Sequence, residues 1–189
     1  MKKFIKENWG RFVFELITII AGVLIALAVN EVRQNYAQQE LADTALKSIV
    51  AEIESNKKFI EQRLPYHRRM VHILDSLALK NADRPFREVG RLAEWRGIQP
   101  PILSDAAWQT AIQSGALAKS DFEKATQIAK LYSFQNAYIR WGDNYIAAVI
   151  GGDLASVEQY KNLFYEMGTT GGELVLFYAS ILNAIQTNK

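Results

Sequence analysis

The chain has 189 residues, no cysteine, and 22 Lys+Arg against 20 Asp+Glu. That leaves room for one domain beside a hydrophobic segment, and the missing thiols exclude disulfides, thiolate metal sites and cysteine nucleophiles. The formal charge of +2 belongs to the start of the chain, where Lys2, Lys3, Lys6 and Arg11 outnumber Glu7; from Glu31 onward 18 basic residues balance 18 acidic ones, which leaves no general nucleic-acid footprint.

Residues 1–11 read as a basic tail. From Phe12 to Val29 only Glu15 is charged and only Thr18 is otherwise polar. At about 1.5 Å per residue this stretch covers roughly 27 Å, close to the hydrocarbon thickness of a bilayer, so 12–30 is expected to be a transmembrane helix. Ala26-Leu27-Ala28 has the small residues of a signal-cleavage site. The sequence beyond Asn30, however, runs to Pro65 without a helix breaker, which suits an anchor. Four Lys/Arg precede the span and only Arg33 follows closely, so the tail is expected in the cytoplasm and residues 31–189 outside it. In a bacterial inner membrane that compartment is the periplasm.

Thr18, Gly22, Ala26 and Asn30 recur every four residues and draw a small or polar stripe along the span, with Glu15 three residues before it on roughly the same side. Such a stripe lets a second helix approach closely, and a membrane carboxylate commonly faces protein or water. The pattern points to a membrane-helix interface made of Glu15, Thr18, Gly22, Ala26 and Asn30, with Glu15 against a partner or in the interfacial layer near Arg11.

Beyond the span, Leu46, Ile49, Ile53 and Ile60 mark one helical face, with Asn56 in the expected apolar place between the last two. This predicts a stalk helix over 31–64 ending near Pro65, packed within a helical domain in preference to an extended coiled coil. Pro65 then opens a second helix whose Met70, Ile73, Leu74 and Leu77 share a face. Residues 81–104 hold Pro85, Gly90, Gly97, Pro100 and Pro101 and are expected to be irregular, with a short helix around 87–95. Arg84, Arg87, Arg91 and Arg96 give that region a basic cluster tempered by Asp83, Glu88 and Glu94, which reads as a salt-bridged surface.

Ser104 or Asp105 is expected to cap a short helix that stops at Gly115. Ser120 and Glu123 have capping-box spacing before a long helix that should end at Gly151-Gly152. A further helix is expected over 153–167, and Thr170 and Glu173 repeat the capping-box spacing before a C-terminal helix with Leu174, Phe177, Tyr178, Ile181 and Ile185 on its apolar face. No alternating strand pattern is present, so the fold class is all-α: one N-terminal transmembrane helix continuing into an extracytoplasmic helical bundle over 65–189.

A glutamate, an apolar run ending "GVLIAL", an asparagine and then a charged helix resemble the DUF6090 family of uncharacterised bacterial membrane proteins. The segment "AAWQTAIQSGAL" followed by "DFEKATQIAKLY" is similar to that family's helix, turn and following helix. The resemblance covers well under half the chain. It implies a single-pass anchor with an extracytoplasmic helical domain and supplies no reaction.

Chemistry-bearing motifs are sparse. His67 and His72 are five apart, about 140° around a helix, and do not suit a shared metal ion. No HExxH, GxSxG, phosphate-binding or dinucleotide-binding motif occurs, and Glu52, Glu54, Asp143 and Asp153 read as solvated charges. Phe134, Tyr138, Trp141 and Tyr145 share one helical face, compatible with a ligand or partner surface and equally with a core. The sequence thus predicts no catalytic, metal or cofactor site. It points to a non-enzymatic interaction protein: an oligomer or accessory subunit of a membrane complex, whose partners are the bilayer and a second copy or another membrane protein. The alternative is an extracytoplasmic small-ligand-binding or sensory module acting through a partner.

Overall fold

A computed structural model describes residues 2–80, 86–152 and 156–187, with side chains from residue 9 onward apart from Phe86 and Glu88. Most of those residues are helical, with no strand among them and an irregular segment over 90–105. The first helix, α1, runs from Lys2 to Ala78; the others are α2 (Phe86–Val89), α3 (Ala106–Gln113), α4 (Phe122–Gly151) and α5 (Val157–Thr187), with a 3-10 turn at Ala116–Lys119. At about 1.5 Å per residue α1 is roughly 115 Å long.

Two cores organise the bundle. Ile49 and Ile53 of α1 pack with Ile128 and Leu131 of α4 and with Tyr178, Ile181 and Ile185 of α5. Further along α1, Met70 and Leu74 pack with Val157, Tyr160, Phe164 and Met167 of α5, and Trp141 and Tyr145 of α4 rest against them. The late part of α5 therefore meets the early part of the packed α1 segment, and α5 is antiparallel to α1, whereas α4 runs alongside α1 in the same direction. The α3 helix and the 3-10 turn cover α1 at the end nearest the apolar span.

Several boundaries differ from the sequence reading. The helix does not break at Pro65: α1 passes through it. Pro65 is exposed, so the carbonyl that loses its donor one turn earlier lies on the solvent side, while Leu64, His67 and Met70 are held in the core. The bundle also begins earlier than residue 65. Residues 31–41 are exposed, but α1 enters the core at Ala42, well before residue 65.

At the start of α4 the cap is Asp121, not Ser120: its carboxylate accepts hydrogen bonds from the backbone N–H of Glu123 (2.8 Å) and of Lys124 (3.2 Å). The predicted stop is met by Gly152, which closes the helix at φ 81°. Gly115 likewise ends α3 with φ 69°.

The expected break at Thr170–Glu173 is absent, because α5 is one helix through Gly171-Gly172. Gly171 serves close approach: a Cβ there would lie 2.9 Å from the Tyr138 hydroxyl and 3.3 Å from Ile60 Cγ2. The capping box belongs instead to Ser156 and Gln159, where Ser156 Oγ accepts from the Gln159 N–H and Gln159 Oε1 accepts from the Ser156 N–H.

Candidate functional site

Among the described residues one helix, α1, is long and apolar enough to cross a membrane, and none of its apolar window is buried. Glu15, Thr18, Gly22, Ala26 and Asn30 all lie on this exposed part, in one unbroken helix. Nothing among the described residues approaches the stripe: a Cβ on Gly22 would meet no atom within 4 Å, and Thr18 returns its hydroxyl to the Phe14 carbonyl oxygen at 2.8 Å. Glu15 has no ion-pair or hydrogen-bond partner among the described residues. The five residues thus share a helix and an exposed setting, with their side free for another surface.

The aromatic face lies within the fold. Tyr138 is buried and donates from its hydroxyl to the Met167 carbonyl oxygen at 3.1 Å, and burial pushes its pKa up to about 12. Phe134 contacts Phe177 with ring centroids 6.2 Å apart, and Trp141 and Tyr145 lie 4.4 Å apart against the second core. Helical spacing brings the four to one side of α4, and α5 covers much of that side.

The arrangement that the sequence reading missed is polar. Asn56, the residue interrupting the apolar face of α1, is 4% exposed. Its amide brackets Ser104, accepting from the Ser104 N–H at 3.0 Å and donating to the Ser104 carbonyl oxygen at 2.7 Å. It also donates to Gln135 Oε1, which accepts from the Tyr178 hydroxyl at 2.6 Å.

One turn earlier on α1, Glu52 acts as a remote cap for α3. It accepts from Ser104 Oγ at 2.6 Å, from the backbone N–H groups of Ala107 (3.0 Å) and Trp108 (3.4 Å), and from the Tyr132 hydroxyl at 2.7 Å. Burial alone would raise the Glu52 carboxyl, but these donors together hold it below its usual range. Burial and the neighbouring carboxylate raise the Tyr132 phenol, so the pair stays carboxylate and phenol at neutral pH. Glu52 is therefore a structural ligand of the backbone, while Glu54 and Asp143 are exposed and Asp153 lies outside the described residues.

A second latch follows on α1. Tyr66 donates to the Gly97 carbonyl oxygen at 2.6 Å and accepts from the Arg96 N–H at 3.1 Å. Beside it His67 is 2% exposed, with Nε2 3.2 Å from the Gln99 carbonyl oxygen, which fixes the Nε2–H tautomer. Its Nδ1 is buried without a partner among the described residues. Desolvation by burial lowers the imidazole pKa to about 4, against hydrogen bonds to the Gln99 and Ile98 backbone that pull it back. Gln99 has φ 53°, a left-handed backbone held in place by this contact. A signal for both latches existed in the sequence: polar residues at core positions of an amphipathic helix require partners.

His72 is exposed and does not converge with His67, and no group of three or more His, Asp or Glu able to hold a metal ion occurs among the described residues. Arg87, Arg91 and Arg96 are exposed, and Arg84 lies outside the described residues. Compared with protein-family models, curated proteins and solved structures, the chain matches none.

Proposed function

We propose that the protein is a single-pass, membrane-anchored interaction protein without catalytic activity, acting as a homo-oligomer or as an accessory subunit of an inner-membrane complex. The observation that carries this reading is the continuity of α1: the helix whose apolar stretch is exposed on every side is also the central element of the bundle. No loop separates span from domain, so a partner helix lying on the span would fix the placement of the bundle. In this reading Glu15, Thr18, Gly22, Ala26 and Asn30 face that partner, and the basic tail before the span orients residues 31–189 to the periplasmic side. The two segments resembling the DUF6090 family suggest the same organisation.

The test is the mass of the full-length protein purified in mild detergent from its own membrane, together with its co-eluting proteins. The wild type is expected in a defined assembly, and Gly22→Leu is expected to dissociate it while leaving the bundle's far-UV circular dichroism unchanged. A lone monomer for both proteins, with nothing co-eluting, would overturn the proposal.

A further inference from the structure

A trough of about 350 Å³ lies between α1 and α5, bounded by Arg68 and His72 on one side and Phe164, Gly168, Thr169 and Gly172 on the other. Its floor owes its shape to glycine. Each glycine inside a helix costs about 1 kcal/mol relative to alanine, so three within five residues call for an explanation. At Gly171 the explanation is packing. At Gly168 and Gly172 it is not, because an added Cβ would find its nearest neighbour at 4.0 Å (Arg68 Cγ) and 3.8 Å (an Arg68 guanidinium nitrogen), both ordinary contacts. Alanine would fit at both positions, and what the glycines preserve is the open volume beneath Arg68.

The lining is selective in charge. Arg68 has no ion-pair or hydrogen-bond partner among the described residues, and neither has the Thr169 hydroxyl. His72 stands one helical turn from Arg68, and among the described residues no Asp or Glu lines the trough. Val71 and the exposed ring of Tyr165 supply apolar wall. A guanidinium presents paired N–H donors that match a carboxylate or phosphate, and apolar walls beside it favour an anion carrying a hydrophobic body. The site lies roughly 57 Å along α1 beyond Asn30, out of reach of the headgroups of a bilayer around the span.

We infer that this trough binds a small amphipathic organic acid, with Arg68 taking the carboxylate, the Thr169 hydroxyl completing its hydrogen bonds, and Val71 and the Tyr165 ring holding the apolar body. The site is distinct from the aromatic face of α4, and it does not depend on whether the membrane helix is paired.

The probe is benzoate, titrated into the full-length protein in detergent and followed by calorimetry, with benzamide as the neutral isostere and inorganic phosphate as the bare anion. Benzoate is expected to bind saturably, with benzamide and phosphate at least about tenfold weaker. Arg68→Gln is expected to weaken benzoate at least about tenfold, and Gly172→Leu to abolish binding by filling the floor, each with the thermal midpoint as a check on folding. Arg68 is exposed, so its variant stays informative if the glycine variant unfolds. Absence of saturable benzoate binding, equal binding of benzamide, equal binding of phosphate, or an Arg68→Gln protein that binds like the wild type would each overturn the inference.

Discussion

One helix behaves in two ways. Between Trp9 and Val32 its large apolar residues are exposed, from Leu16 at 46% to Phe14 at 72%, apart from a half-buried Val13, whereas between Ile49 and Leu74 its inward positions are almost wholly buried. The first stretch is apolar all round and has no use for the rest of the chain, while the second is apolar on one stripe and polar elsewhere. A helix apolar on every side suits hydrocarbon, and one with a stripe suits a protein core. The difference shows that amphipathicity, and not hydrophobicity alone, decides which part of α1 joins the fold.

The sharpest way to test the contrast is the same substitution made twice on the same helix. Leu74→Ala removes side-chain volume from a site with 0% exposure and should destabilise the bundle by about 2–5 kcal/mol. Leu24→Ala, at a site 60% exposed and touched by no other element, should leave the bundle's unfolding midpoint unchanged. Chemical denaturation in detergent, followed through the near-ultraviolet signal of the buried tyrosines, reads both. An equal loss in the two variants would mean that the span and the bundle unfold as one unit.

The second test sharpens the packed half by pH. The His67 pKa is lowered by burial to about 4 from 6.5, so the imidazole is neutral in the folded state and protonates more readily when unfolded. As pH falls below about 6.5 the unfolded chain takes up the proton first, and stability drops until the folded-state pKa near 4 is passed, by roughly 3 kcal/mol in all. Glu52, whose pKa is depressed, adds its own loss only below the ordinary carboxylate range, so the two groups separate along the pH axis. Unfolding free energy measured between pH 7 and 5 should therefore fall in the wild type and stay nearly flat in His67→Leu. A wild-type profile without slope in that window would contradict the buried, neutral imidazole.

The sequence was most informative where period alone decides structure. The apolar span, the 3-4 face through Leu46, Ile49, Ile53 and Ile60, and the stop at Gly151-Gly152 followed from spacing and turn chemistry. It misled where a local signal met a tertiary one. Pro65 reads as a boundary and is overridden because its neighbours Leu64, His67 and Met70 are buried along a continuous face. The capping-box spacing of Thr170 and Glu173 reads as a helix start and is overridden at Gly171 by the approach of Tyr138 and Ile60, partners that are 33 and 111 residues away. The polar latches were half legible: Asn56 stood out as an interruption of the apolar face, but its partner Ser104 is 48 residues distant and no local pattern connects them.

The smallest expected effect has the opposite sign and bears on the passage from the stalk reading to the observed bundle. Pro65 has no backbone N–H, and its ring crowds the preceding turn, at a cost of up to about 3 kcal/mol in an ordinary helix interior. Its side chain is exposed, so no core contact is lost on replacement, and its carbonyl partner one turn earlier regains a donor. Against this, alanine frees the unfolded chain, which returns part of the gain. Pro65→Ala should therefore stabilise the bundle by about 1 kcal/mol, read as an upward shift of the thermal midpoint. A destabilised variant would mean that the proline sets a bend in α1 on which the second core depends, and the two cores would then have to be treated as separate packing units joined at Pro65.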